Sequence, residues 1–324
     1  MKKLAVFAAV LFLLPVANSK ILVEVAVKDD EESNAFNDLL FNMWLKNDNI
    51  YYVMMPIQNE FANEWMLKHN ATYPEAYLDG GYRVARNADE LQDAIYDCMK
   101  REKNNINVEL NAKWLECPCM RGLNIVARIY NNGSKPYKGI LRIYIIEINS
   151  RWKNDGGSRY HFSFLEFANV ENISIEQREE YYTSVTWDTK QNFPDIYDKG
   201  KNNVAVIAAV FNEKEHYLDA IAFYMSPNAP PYVTISYPKN GYLYIFGREL
   251  FKAGRTILVG EARIRIQSWD DHGIEKIELY QDGHFWKELN GNEFIWKGKG
   301  FHSIEVIAYD DIQSSFDTLD ALIL

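Results

Sequence analysis

The residues of this chain best equipped for chemistry are carboxylates. Asp29, Asp30, Glu31 and Glu32 form one run, and Asp270-Asp271 and Asp310-Asp311 form two adjacent pairs towards the C-terminal end. Clustered carboxylates can ligate a hard cation, which takes six to eight oxygens, or can do acid–base work. Adjacent acids in loops suit the second poorly, because a glycosidase holds its two carboxyl groups a set distance apart across the substrate. The run at 29–32 precedes apolar residues of helical period, so its plain role is to cap the first N–H groups and meet the positive end of the helix dipole. The later pairs differ. Each follows a strand-like segment, one ending near Ser268 and one near Tyr309, and strands finishing at one end of a sandwich bring their following loops together. Asp270, Asp271, Asp310 and Asp311 are therefore the candidate ligands of a structural calcium ion, and no other cofactor is expected.

Cysteine chemistry is limited to Cys98, Cys117 and Cys119. An odd count in an exported chain reads as one disulfide and one spare thiol, Cys98 pairing with Cys117 or Cys119. Cys117-Pro118-Cys119 could close on itself only under strain. A zinc site built from these thiols and one histidine lacks a fourth ligand. The six histidines are scattered, and no H-E-x-x-H, G-x-S-x-G, phosphate-cradling or dinucleotide motif is present. His161, set among aromatics, reads as a packed strand residue.

Residues 1–19 read as a secretory signal: Lys2 and Lys3, an apolar run Leu4–Val16, and the small residues Ala17-Asn18-Ser19. No later segment is long and apolar enough to cross a bilayer, so the mature chain should be extracytoplasmic with no transmembrane segment. A net charge of −10 opposes binding to nucleic acid.

The elements follow in order. Alternation at Ile21, Val23, Val25 and Val27 predicts a strand, and Phe36, Leu39, Leu40 and Trp44 continue as a helix. Tyr51–Ile57 is a second strand and Asn59–His69 a short helix. Tyr73–Val84 holds two strands about Gly80-Gly81, and Ala88–Arg101 is a helix capped by Asn87. Val108–Leu115, Leu123–Tyr130, Ile140–Ile148, His161–Ala168, Tyr181–Trp187, Val204–Phe211 and Tyr217–Tyr224 then make an all-β region with the spacing of a sandwich. Asn131–Ser134 is predicted to turn a hairpin, and Arg151–Tyr160 to form a long loop. Pro227, Pro230 and Pro231 mark a stiff linker at 227–231. Beyond it, Asp282-Gly283 predicts a tight hairpin within a second sandwich. Asn70, Asn132 and Asn172 are glycosylation sequons at predicted turns.

The order β-α-β-α-β-β-α over residues 20–104, with Tyr73-Pro74 before the third strand and the stretch Tyr73–Tyr82, resembles the thioredoxin-like domain of a group of secreted prokaryotic proteins. That resemblance implies a cis bond at Pro74 and a Cys-x-x-Cys at the first helix. Here Asp30 and Ser33, or Glu31 and Asn34, hold those positions, so the domain lacks the pair. Residues 105–226, through His161–Phe167, Trp187-Asp188 and Val206–Phe211, resemble the β-sandwich domain of the same group. Residues 232–324, through Trp269–Gly283, resemble bacterial Ig-like repeats of secreted and surface proteins.

The expectation is a multidomain α/β plus all-β protein acting without catalysis in adhesion or assembly at the cell surface. Its partner would be a cell-envelope protein or glycan. Two alternatives stand beside it: a thiol–disulfide protein using Cys98, Cys117 and Cys119, and a glycan binder using Trp152 and Tyr160.

Overall fold

The computed structural model describes residues 19–28, 30–115, 121–154, 157–190 and 192–324. It is predominantly β, with several sheets and few helices. The first unit runs β1 (Ile21–Val27), α1 (Glu31–Trp44), β2 (Ile50–Pro56), α2 (Glu60–His69), β3 (Glu75–Leu78), β4 (Arg83–Ala85) and α3 (Ala88–Lys100). β1 and β2 are parallel, whereas β3 lies antiparallel to both β1 and β4. Each helix starts on a side-chain cap: Asp30 accepts from the Ser33 N–H, Asn59 from Phe61 and Asn87 from Glu90.

The turn after β3 shows why its sequence is so specific. Tyr73-Pro74, just before β3, is cis, and in the turn after it Asp79 and Gly80 both have positive φ. Asp79 is fully buried, where its carboxylate accepts the Leu22 N–H and meets Arg101 and Lys103 at 3.1 and 2.9 Å. A Cβ on Gly80 would stand 2.3 Å from the His216 carbonyl oxygen, so the close approach of the neighbouring chain demands glycine.

Next come β5 (Ile106–Trp114), β6 (Gly122–Asn131), β7 (Tyr137–Lys153), β8 (Arg159–Ile175), β9 (Glu180–Asp188), the short α4 (Pro194–Lys199), β10 (Val204–Asn212) and β11 (Leu218–Met225). β5, β6 and β9 form one sheet. β7, β8, β10 and β11 join the first unit in an eight-stranded sheet of order β11-β10-β7-β8-β2-β1-β3-β4. The seam is a single parallel pairing, Met54 with Ser163. In β7, Ile143 and Ile145 face the core shared with β5, β6 and β9, while Tyr144, Ile146 and Ile148 face the core of the first unit. β10 divides the same way, with Val206 and Ala208 on one side and Ile207 and Ala209 on the other. Burial on both faces explains the unbroken apolar runs of these strands. It also places Glu24 of β1 under Tyr144, whose hydroxyl donates to Glu24 Oε1 at 2.9 Å; Arg142 lies 3.8 Å from that oxygen.

Two sequence expectations are corrected in this region. Asn131–Ser134 does not turn a hairpin, because β6 pairs with β5 and β9 while β7 pairs with β8 and β10. The Asn131 side chain instead folds the segment between sheets, donating to Lys135, Ile175 and Glu176 carbonyls and accepting from the Gly133 N–H. Half of the expected loop 151–160 is strand, since β7 and β8 pair as far as Lys153 opposite Arg159.

The last unit comprises β12 (Tyr232–Tyr237), β13 (Tyr242–Ile245), β14 (Arg248–Lys252), β15 (Thr256–Val259), β16 (Ala262–Trp269), β17 (Lys276–Gln281), β18 (His284–Glu288), β19 (Glu293–Trp296), β20 (Gly300–Tyr309) and β21 (Ser314–Ile323). A three-stranded sheet, β12-β16-β19, and a seven-stranded sheet enclose a core that includes Trp296, Leu279 and Val306. Between β17 and β18, Asp282 and Gly283 both take positive φ, as a tight hairpin turn requires.

Candidate functional site

The three units meet at His161. It stands on β8 just before Phe162, whose φ of +54° departs from extended geometry and whose ring centroid lies 4.0 Å from that of the imidazole. Around the fully buried imidazole stand Phe41 and Trp44 of α1, Phe162, Tyr232 of β12 and Trp269 of β16, with centroids 4.0–5.6 Å away. Nδ1 lies 2.9 Å from the Tyr52 hydroxyl, and the backbone N–H donates to Asn37. Burial pushes the pKa down to about 3, so the ring is neutral at ordinary pH. An imidazole enclosed by other rings packs; a general base needs reach to a substrate.

Further contacts hold the last unit on the middle one. The Tyr232 hydroxyl donates to the Arg159 carbonyl, Ser158 Oγ donates to the Ile235 carbonyl, and Lys153 pairs with buried Asp317 at 2.9 Å. Asn149 Nδ2 donates to the carbonyls of Pro230 and Pro231, both at 2.9 Å. Within 227–231, Ala229 and Pro231 are buried. Beside this seam lies a cleft of about 600 Å³, whose wall carries Arg151 paired with Glu147 and Asp195.

At the start of α1, Asp30 accepts the Ser33 N–H at 2.9 Å and pairs with Lys28 at 3.2 Å. Ser33 Oγ in turn accepts the Lys28 N–H. Asp29 lies outside the described residues, as do the side chains of Glu31 and Glu32. Cys98 is a free, fully buried thiol on α3, and burial pushes its pKa well up, which holds it protonated. Its expected partners, Cys117 and Cys119, lie outside the described residues, as does the expected signal segment through residue 18. Tyr160 is 0% exposed with its hydroxyl donating to the Lys28 carbonyl, and Trp152 is half-buried against two cores, so neither lies open as a stacking platform.

The acidic pairs end on facing loops. The Glu275 N–H donates to the Tyr309 carbonyl at 2.8 Å, which ties the loop after β16 to the end of β20. Asp270, Asp271 and His272 present ligand atoms all within 4.8 Å of one another. Burial chiefly, with the nearby charges of Asp271 and Asp310, raises the pKa of Asp270. Asp310 is buried, whereas its neighbour Asp311 is exposed. The sequence reading did not include His272, although it directly follows the first pair. It also missed the roles of Arg101 and Lys103, whose signal was the buried-acid turn at Asp79.

The chain matches no known protein family, and no curated protein matches it in sequence. Among solved structures it is similar to a protein of Agrobacterium tumefaciens, at 14% identity over 64% of this chain and 95% of that one, with a TM-score of 0.39. Fibronectin(III)-like modules of Clostridium thermocellum CbhA are 22% identical over 28% of this chain and 95% of theirs, with a TM-score of 0.22. Red sea bream transglutaminase is 8% identical over 85% of this chain and 41% of its own, with a TM-score of 0.24. At TM-scores this low, none of the three bears on what the chain does.

Proposed function

We propose that this is an extracytoplasmic binding protein of adhesion or assembly type that works without catalysis. In this reading residues 20–104 are a thioredoxin-like domain, 105–226 a β-sandwich and 232–324 an Ig-like module. The strand order β2-β1-β3-β4 with β3 reversed, and three helices between and after the strands, supports the first assignment. The observation that carries the function is the start of α1. There Asp30 and Ser33, at the positions where the resemblance puts thiols, are engaged in capping α1 and binding the Lys28 N–H. The one cysteine among the described residues is buried on another helix.

Two assays test the reading. In dithiothreitol-driven insulin reduction the protein should match a protein-free blank, and the folded chain should be retained on isolated cell envelopes while the heat-unfolded chain is not. Insulin turnover lost on Cys98→Ser would replace this reading with the thiol–disulfide one.

A further inference from the structure

The cleft of about 600 Å³ between the middle and last units falls within the roughly 300–1,000 Å³ of small-molecule sites. One side is made by the end of β7, the start of β8, α4 and the turn before β10. The other is made by Pro230, Val233 and the start of β21. Arg151, Arg159 and Lys201 line it together with Glu147, Asp195 and Asp198, three charges of each sign. These groups are already engaged. Arg151 lies 3.0 Å from Glu147 and 3.2 Å from Asp195, and Asp198 lies 3.0 Å from Arg121. Arg159 donates to the Ser150 carbonyl, and the Lys201 ammonium sits 3.6 Å from the centroid of the Tyr197 ring. Charges that cancel in this way give neither an anion nor a cation a net pull. An apolar guest fits no better, because it would strip water from these groups and return no hydrogen bonds. What remains is a neutral guest dense in hydroxyls.

A hydroxyl both donates and accepts, so neighbouring hydroxyls pair well with a carboxylate and a guanidinium set side by side. The row Glu147–Arg151–Asp195 offers that alternation, and its ion pairs hold it in place before any guest arrives. The Asp195 side chain is 61% exposed, so the end of the row is open. On the side of the last unit, the alternation along β21 buries Asp317 and turns Phe316 outward, where it is 52% exposed. An open ring beside polar groups is a platform for the C–H face of a pyranose, a role that buried Tyr160 and half-buried Trp152 cannot fill. We propose that this cleft binds a neutral glycan, with Asp195 and Arg151 holding hydroxyls and Phe316 stacking on a sugar ring. The proposal rests on the binding-protein reading above and names the class of its partner.

The test uses the full chain. In calorimetric titration at least one of maltotriose, cellotriose and mannotriose should bind saturably, and the charged trigalacturonate should not. Phe316→Ala and Asp195→Asn should each weaken that binding about tenfold or more, as the loss of a central contact does, with Tm unchanged. Phe301 is an exposed ring outside the cleft, and Phe301→Ala should leave binding as it was. On isolated cell envelopes, periodate, which cleaves vicinal diols, should abolish retention of the chain, and protease should not. The proposal is overturned if none of the neutral sugars binds, if trigalacturonate binds as well as they do, or if both cleft variants bind like the parent. Retention lost to protease but not to periodate would identify a protein partner and overturn it too, leaving the binding-protein reading intact. No retention on untreated envelopes would instead remove that broader reading, and the titration would then decide the cleft by itself.

Discussion

Trp44 at the end of α1 and Trp269 at the end of β16 meet edge to face, with centroids 4.8 Å apart and ring planes at 71°. This contact joins the first unit directly to the last, and His161 of the middle unit touches both rings. Aromatic pairs in this geometry add to the burial of their own area. Trp269→Ala should therefore lower unfolding stability by about 2–4 kcal/mol, measured by urea denaturation. An unchanged midpoint would mean that the last unit does not depend on this seat.

The proline-rich segment 227–231 reads in sequence as a stiff linker with few contacts across it, yet it lies under the two hydrogen bonds from Asn149. Limited proteolysis of the native chain should spare it. Asn149→Ala frees both carbonyls and should make cleavage there appear, followed by mass spectrometry of the fragments. Early cutting of the parent chain at 227–231 would contradict this packing.

Gly80 and Gly81 are adjacent and both have positive φ, but their surroundings differ. Gly81 has nothing within 4 Å of a built Cβ, whereas Gly80 meets the His216 carbonyl and the Phe211 ring. Gly81→Ala should cost about 1–2 kcal/mol, the backbone penalty alone. Gly80→Ala should cost clearly more, because the middle unit must also move away. Equal losses in chemical denaturation would show that the close approach is not sustained.

The neutral, buried His161 sets an acid limit. Its folded pKa is about 3 against an ordinary 6.5, so between these values the unfolded chain binds the extra proton. Stability from this group is complete above pH 6.5 and falls by up to about 1.4 kcal/mol per pH unit below it. Asp38 opposes it: burial raises its pKa to about 6, so over the range from 3.8 to 6 its contribution grows as pH falls. His161→Phe should therefore reduce the loss of stability between pH 7 and pH 4, measured by urea titration at each pH. An unchanged slope would mean that the acid sensitivity comes from elsewhere.

Local pattern and packing were unequally legible in the sequence. Every strand expected between Val108 and Tyr224 lies within an observed strand or overlaps one, because alternation and β-branching are local signals. The cap at Asn87 was visible for the same reason, whereas Asn59 reads as the first residue of its helix and is in fact the cap. Which sheet each strand joins was not: Asn131–Ser134 has hairpin composition, but its flanking strands find partners elsewhere. The two-sided burial of β7 and β10 could be read as centrality, not as contact with the first unit. At the acid loops, the sequence identified the pairs, while the separation of buried Asp310 from exposed Asp311 depends on the Ile312 and Gln313 backbone. Tyr160 and Trp152 are aromatics near glycine, a composition that buried junctions share with binding surfaces.

The hydrogen bond from Tyr144 to Glu24 imposes an order on how the chain comes together. Glu24 sits in the first strand, but the groups that cover its carboxylate, Tyr144 and Arg142, belong to β7. A growing chain holds β1 with that acid in water until β7 has emerged and paired. The first unit is thus sealed late, by a contact distant in sequence, and such closures slow folding because a long loop must be searched before it is rewarded. A fragment ending before β7 would keep its helices and lose its lid, leaving a face made for the interior open to its neighbours.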